Sequence, residues 1–210
     1  MVTIDLFADI ACPWCYIGER RLRRVLDERG LEARVRWRPF ELQRNLPPGG
    51  IRWEELVERK FGGWERARAM FAHVQRAGDE EGIRFDFERV ASAPNTRDAH
   101  RLMLLAGEHG KTWEMAEALF SAYFTQGRDV GDRQVLAELA ASVGLDAERV
   151  RQVLEGGDYI AEVQASLEVA DRSGIGGVPL FVFDGRFGVS GAQPAEVLHA
   201  ALDRAEGKAA

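Results

Sequence analysis

The chain has 210 residues, of which 46% are hydrophobic and 30% are charged, and its formal net charge at pH 7 is −6. This composition excludes a disordered protein, and the length suffices to bury a core without cross-links. The acidic balance argues against a nucleic-acid partner, because phosphate-binding domains present a basic face. We see no apolar segment long enough to span a membrane and no secretory leader, so we expect a cytoplasmic protein without a membrane partner.

The first predicted elements are a strand, a helix and a second strand. Val2 to Ala8 is rich in β-branched and other apolar residues, as strands are. Pro13 suits the first turn of a helix, and Gly30 suits its end. Ala33 to Phe40 alternates apolar and basic residues, which predicts the second strand. This βαβ order predicts two parallel strands joined by a right-handed crossover.

A helical region is predicted next, from the loop Pro47-Pro48-Gly49-Gly50 to about Ser173. Apolar residues recur there at helical spacing, and we expect helices only. The candidate N-caps are Asn95, Asp132, Asp146 and Asp158.

The strand pattern returns after the helices. Leu180 to Phe183 and Arg186 to Ser190 flank Asp184-Gly185, a typical hairpin turn, and Pro194 opens a final helix. Strands from both ends of the chain must then share one sheet. We therefore predict an α/β protein with a discontinuous domain, residues 1–46 and 174–210, and a helical insertion subdomain, residues 47–173.

The only cysteines, Cys12 and Cys15, lie at the start of the first predicted helix. Two thiols at this spacing allow one sulfur to attack a disulfide and the other to resolve the product. A zinc site would need two more ligands, and the four histidines are scattered. A structural disulfide would close only a small loop, and two inert thiols are a further alternative. We favour a redox-active dithiol that needs no metal or cofactor.

Five segments resemble the FrnE-type subfamily of the DsbA superfamily. They are Asp9 to Gly18, Trp37 to Leu42, Asn95 to Leu102, Gly177 to Val182 and Val189 to Gln193. The resemblance implies a thioredoxin fold, βαβ and then ββα, with a large all-helical insertion between the second and third strands. It also implies a cis-proline at Pro179 beside the cysteines. Some FrnE-type proteins carry a second cysteine pair, which this sequence lacks.

The position of the two cysteines predicts different roles for them. Cys12 should precede the first helical turn, where free N–H groups and the helix dipole stabilise a thiolate. We predict that Cys12 attacks and that Cys15, one turn further, resolves. Pro13 and Trp14 should set the balance between the redox states. Alternatively, Trp14 is an exposed aromatic residue that offers substrate a binding surface.

Further substrate contacts are expected at two places. The backbone of Val178, beside Pro179, should pair with an extended substrate as an added strand. The family resemblance also places Asn95 and His100 in the wall of a substrate groove, although an ordinary helix-surface histidine remains an alternative for His100.

The function that we predict is disulfide oxidoreductase or isomerase, acting on a disulfide or dithiol of a protein or small molecule. Glutathione or a thioredoxin-type reductant is a possible thiol partner. The alternative is a glutathione-dependent enzyme similar to 2-hydroxychromene-2-carboxylate isomerases and kappa-class glutathione transferases, which typically carry Ser at the position of Cys12. A third alternative is a redox-sensing module whose switch is the Cys12–Cys15 disulfide.

Overall fold

A computed structural model describes residues 1–208 of the chain. Residues 209 and 210, the end of the predicted 174–210 segment, lie outside the described residues. The described part forms six strands and nine helices: β1 (Val2–Ala8), α1 (Pro13–Arg29), β2 (Ala33–Pro39), β3 (Ile51–Arg52), α2 (Trp53–Phe61), α3 (Trp64–Asp79), β4 (Ser92–Ala93), α4 (Arg97–Glu108), α5 (Thr112–Phe124), α6 (Arg133–Ser142), α7 (Ala147–Glu155), α8 (Ile160–Arg172), β5 (Leu180–Phe183), β6 (Phe187–Ser190) and α9 (Ala195–Ala205).

The central sheet joins strands from both ends of the chain, in the order β2-β1-β5-β6. β1 runs parallel to β2, from Val2 opposite Ala33 to Ala8 opposite Pro39. β5 is antiparallel to β1, and β6 is antiparallel to β5. The α/β class and the thioredoxin order of strands and helices predicted from the sequence are confirmed.

Both faces of the sheet are covered by helices. Ile4 and Leu6 of β1 belong to the large core that includes Leu22 of α1 and Leu198 of α9. Phe7 points to the opposite face, where it packs with Ala170 of α8 in a smaller cluster. The alternation follows from the period of two along a strand, and it holds the end of β1 rigidly between two layers.

The helical region packs closely against α1. The ring of Tyr16 is stacked on Phe120 of α5, with the centroids 5.0 Å apart, and meets the edge of Phe85 at 5.9 Å. The large core therefore continues from the sheet into the helices. The boundaries drawn at residues 46/47 and 173/174 stay a prediction.

Two expectations for the middle of the chain were wrong. The region is not entirely helical, because Ile51 and Arg52 pair antiparallel with Ala93 and Ser92 in a short ladder. Two of the four predicted N-caps are also displaced by one residue, because the N-cap of α4 is Thr96 rather than Asn95 and that of α8 is Tyr159 rather than Asp158. The other two are confirmed, since Asp132 caps α6 and Asp146 caps α7. Within residues 1–208, no helix has both the length and the apolar character needed to cross a membrane.

Candidate active site

The two cysteines lie where β1 passes into α1. Cys12 is the N-cap residue of α1 and Pro13 is the first residue of the helix, as predicted. The Cys12 N–H donates to the carbonyl oxygen of Asp9 at 3.0 Å, and the Cys12 carbonyl accepts from the Cys15 N–H at 3.0 Å. The turn between strand and helix is thus fixed by backbone hydrogen bonds. The Cys12 side chain caps no N–H of the helix, so its sulfur is available for chemistry.

The two thiols differ in exposure. Both are free, and Cys12 is 4% exposed whereas Cys15 has no exposed surface. Burial raises the pKa of Cys15 well above its usual value, and the hydrogen bond and charge of Cys12 raise it further. Cys15 is therefore held as a thiol at neutral pH. The predicted division between an attacking and a resolving sulfur stays a prediction.

The loop before β5 closes over the first cysteine. The Cys12 sulfur lies 3.7 Å from the carbonyl oxygen of Val178, and the Val178–Pro179 peptide bond is cis. Within residues 1–208, the Val178 N–H and C=O take part in no backbone hydrogen bond. Pro179 itself is buried, and its carbonyl oxygen accepts from the Gly191 N–H at 2.7 Å. The Val178 N–H thus has no backbone partner, and its carbonyl oxygen accepts from the Cys12 thiol.

Trp14 connects the cysteine turn to the helical region. The indole is half-buried, and its centroid lies 5.2 Å from that of the exposed His73 ring on α3, with the planes tilted by 55°. The rings meet because α3 packs across α1. Trp14 and His73 therefore form part of the wall beside Cys12. No pattern in the sequence singled out His73.

A chain of buried polar groups lies beneath the cysteines. Trp37 Nε1 donates to His100 Nδ1 at 3.0 Å. Because an indole N–H can only donate, the proton of the imidazole is assigned to Nε2. That nitrogen lies 3.1 Å from the carbonyl oxygen of Phe40 and 3.4 Å from Oδ1 of Asp9. His100 therefore donates to the Phe40 carbonyl oxygen, and the Asp9 carboxyl group lies beside this hydrogen bond.

Asp9 is held by backbone donors. Its side-chain oxygens accept from the backbone N–H of Ala11 at 3.3 Å and of Leu42 at 2.7 Å. The carboxyl group is 1% exposed. A signal for it was present in the sequence, because a polar residue directly after a buried strand and before the cysteine pair needs a partner to be buried.

The structure places His100 in the interior and gives the Asn95 side chain two hydrogen-bond partners. His100 has no exposed surface, so the predicted contact with substrate is corrected: it is an interior residue. The side-chain amide of Asn95 donates to the carbonyl oxygen of Leu46 at 3.0 Å and its oxygen accepts from the Arg97 N–H at 3.1 Å. Asn95 thus ties the loop after β2 to α4. Its contact with a substrate stays a prediction.

Among residues 1–208, no group of three or more His, Cys, Asp or Glu side chains is arranged to bind a metal ion.

Comparisons with known proteins place the chain in a family. The family model of the DSBA-like thioredoxin domain matches residues 3–203. A probable DsbA oxidoreductase from Streptomyces coelicolor is 36% identical, with a TM-score of 0.89 over 100% of this chain and 92% of that one. A 2-hydroxychromene-2-carboxylate isomerase is 18% identical, with a TM-score of 0.76 over 96% and 95% of the two chains. The cytosolic disulfide reductase DsbM from Pseudomonas aeruginosa, solved with GSH, is 23% identical, with a TM-score of 0.65 over 96% and 98%.

Proposed function

The chain belongs to the DSBA-like thioredoxin domain family, and from that premise we propose that it exchanges disulfides through Cys12 and Cys15. The observation that carries the proposal is the asymmetry of the pair. One sulfur stands at the N-cap of a helix at the edge of the surface, and the other is fully buried one turn further.

The reaction then has two steps. Cys12 attacks one sulfur of a substrate disulfide, which forms a mixed disulfide and releases the other substrate sulfur as a thiolate. Cys15 loses its proton and attacks the Cys12 sulfur, which forms the Cys12–Cys15 disulfide and releases the remaining substrate thiolate. The same two steps in reverse oxidise a substrate dithiol. The Pro13-Trp14 pair between the cysteines influences which direction is favoured.

The substrate would lie across the loop before β5. The Val178 N–H has no backbone partner, and the Val178 C=O accepts only from the Cys12 thiol, a bond that is lost when Cys12 reacts. Both groups can then pair with an extended chain whose sulfur reaches Cys12, in the manner of an added strand. Pro179 holds this backbone in place, and the half-buried Trp14 gives the adjoining segment an apolar surface. These features suit a disulfide in an extended peptide or in a small molecule.

Glutathione-dependent catalysis is the second candidate. It is supported by the shared fold of the 2-hydroxychromene-2-carboxylate isomerase and by the disulfide reductase whose structure contains GSH. We favour dithiol exchange because this chain has cysteine at both positions of the motif. Glutathione remains a candidate thiol partner of the same site, as does a thioredoxin-type reductant. The description of that reductase as cytosolic supports a cytoplasmic location for this protein.

The test is insulin reduction with dithiothreitol, run beside a glutathione-conjugation assay. We expect the parent to reduce insulin and Cys12→Ser to be inactive. Cys15→Ser should trap mixed disulfides, because no second thiol remains to resolve them. If Cys15→Ser reduced insulin at the parent rate, or if only glutathione conjugation were observed, the dithiol function would be wrong.

A further inference from the structure

Helices α1 and α3 run parallel to each other beside the cysteine turn. At one end the rings of Trp14 and His73 meet, with their centroids 5.2 Å apart. Further along both helices, Arg21 Nη2 lies 3.8 Å from Oε2 of Glu80, the C-cap residue of α3. The two contacts are seven residues apart in each helix and come in the same order along the chain. The helices therefore lie side by side over a length of about 10 Å.

The beginning of α3 extends beyond the attacking cysteine. α3 starts at Trp64, nine residues before His73, whereas Cys12 comes only two residues before Trp14. Since the two helices are parallel, α3 continues roughly 10 Å past the level of Cys12. We call residues 64–72 the overhang of α3. A substrate that approaches Cys12 along this side of the molecule passes beside the overhang.

One face of the overhang continues the surface that begins at His73. Successive side chains of an α-helix are turned by about 100°, which places Arg66 within about 20° of the direction of His73. Arg66 is exposed, and Met70, which lies between these two residues, is half-buried. Glu65, the only acid of the overhang, points about 80° to one side, and Arg68 points about 140° away. The face that carries on from the contact with α1 is thus formed by Met70 and Arg66.

Arg66 gives this face a positive charge. Among residues 1–208 the Arg66 guanidinium forms no ion pair, although the chain as a whole has a net charge of −6. An arginine is charged at any physiological pH, so this face stays positive. The half-buried indole of Trp14 supplies the apolar part of the adjoining surface. A chain segment with an apolar residue near its sulfur and an acidic residue further along would match both parts.

We propose that the overhang of α3 is a docking wall for the substrate segment next to the attacked disulfide, and that Arg66 selects an acidic side chain in that segment. The proposal rests on the dithiol function above and names a substrate class for the same site. Arg66 lies roughly 7 Å past Cys12 along α3, which is the length of about two to three residues of extended chain. The acidic residue should therefore be two or three positions from the substrate cysteine.

A substrate segment is the occupant that fits this position. The overhang adjoins Trp14, which lies between the two cysteines, so a permanent partner seated here would also close off Cys12. A stable complex with a second copy of the chain would block exchange in the same way. A substrate covers the surface only while its disulfide reacts.

The experiment measures attack by Cys12 on short peptides whose single cysteine is bonded to a coloured aromatic thiol. The Cys12 thiolate attacks the peptide sulfur, the bond between the peptide sulfur and the aromatic sulfur breaks, and the aromatic thiolate leaves with its electron pair. Otherwise identical peptides carry glutamate or lysine at one position, which is moved one residue at a time away from the cysteine on either side. Glutamate two or three positions away on one side should react about two- to fivefold faster than lysine there, the ratio that an exposed ion pair gives. High salt should abolish this preference.

Substitutions of exposed arginines on α3 separate docking from a general effect of charge. Arg66→Gln should abolish the preference for glutamate, and Arg66→Glu should reverse it. Arg68→Gln is the matched control, because Arg68 is also exposed and forms no ion pair within residues 1–208 but points to another face of the helix. This control should keep the preference of the parent.

The outcomes distinguish docking from the exchange function. A parent that releases no aromatic thiol from any peptide would contradict disulfide exchange itself. Release without a preference for glutamate, or an equal loss of preference in Arg66→Gln and Arg68→Gln, would overturn the docking wall and leave exchange intact. Sedimentation of the parent and Arg66→Glu tests a second copy as the occupant. A parent dimer that this substitution dissociates, with the glutamate preference unchanged, would assign the overhang to self-association instead.

Discussion

Glu19 carries a buried carboxyl group that lacks a hydrogen-bond partner among the described residues. It is 1% exposed, and burial together with the charge of Glu117 raises its pKa from 4.5 to about 8, although Arg23 and Arg20 oppose this shift. The group is tolerated because it stays protonated and so avoids the larger cost of an unpaired buried charge. Its contribution to stability must therefore depend on pH.

We predict that the free energy of unfolding falls as pH rises through this range. The unfolded chain releases the Glu19 proton near pH 4.5, whereas the folded protein keeps it to about pH 8. The stability linked to Glu19 is thus fully present below the pKa of the unfolded chain and is lost once the pH exceeds the pKa of the folded protein, a change on the order of 5 kcal/mol. The glutamine side chain of Glu19→Gln cannot ionise, so this variant should not lose that stability as pH rises.

The measurement is urea unfolding of parent and Glu19→Gln at several pH values. The difference between the two proteins isolates Glu19 from other titrating groups. The free energy of unfolding of the variant should increase relative to that of the parent as pH rises from about 5 to about 8.5. A difference that stays constant with pH would show that Glu19 ionises normally.

At the scale of elements, the close approach of α1 to the loop before β5 depends on Gly18. A Cβ atom at Gly18 would lie 3.0 Å from Cγ of Pro179 and 3.1 Å from Cζ of Phe181. The same substitution at Gly107 of α4 would meet only Thr112 Oγ1, at 3.6 Å. The two helical glycines thus differ in the space around them, and Gly18 sets the distance between the cysteine helix and the substrate loop.

We expect Gly18→Ala and Gly107→Ala to have opposite effects. Alanine in a helix interior is favoured over glycine by about 1 kcal/mol. Gly107 lies in the last turn of α4, so Gly107→Ala should stabilise the protein by up to about that amount. In Gly18→Ala the tight contacts should outweigh this gain and destabilise by about 1–3 kcal/mol, as overpacking does. Thermal and urea unfolding of the two variants measure these changes in stability. Equal stabilisation by the two substitutions would contradict the close packing at Gly18.

The pattern of helices and strands shows what local sequence can predict at this scale. Asp132 and Asp146 cap their helices because the side chain of each accepts from an N–H of the first turn. Asn95 accepts from the Arg97 N–H, but backbone geometry starts α4 after Thr96. The Ile51–Arg52 strand was not predicted, since its only partner is a two-residue segment about forty positions away. Such a short ladder leaves no periodic signal.

At the scale of the whole molecule, the sequence was sufficient for the order of strands and for the place of the cysteines. Both depend on strong local signals, namely alternation in β1 and β2 and a proline directly after Cys12. The pairing of His100 with Asp9 was not predictable in this way. The two residues are brought together only when α4 packs against β2, the neighbour of β1 in the sheet. The histidine pattern alone could not separate a surface position from an interior one.

The predicted division into two units also has a consequence for folding. The large core is one continuous cluster that includes Leu6 of β1, Leu22 of α1, Val74 of α3 and Phe120 of α5. Aromatic stacking of Tyr16 on Phe120 joins the cysteine helix directly to the helical region. Removing either part would expose apolar surface of the other to water, which is unfavourable in proportion to its area.

We therefore predict that the chain unfolds as one cooperative unit despite its discontinuous organisation. Calorimetry should give a calorimetric enthalpy equal to the van't Hoff enthalpy, and circular dichroism and tryptophan fluorescence should report the same urea midpoint. Tyr16→Ala removes the stack on Phe120. It should lower the midpoint seen by both probes together, because a buried aromatic side chain contributes about 3–5 kcal/mol to the shared core. Two separate transitions in the parent, or a shift confined to one probe, would show that the helical region folds independently of the sheet.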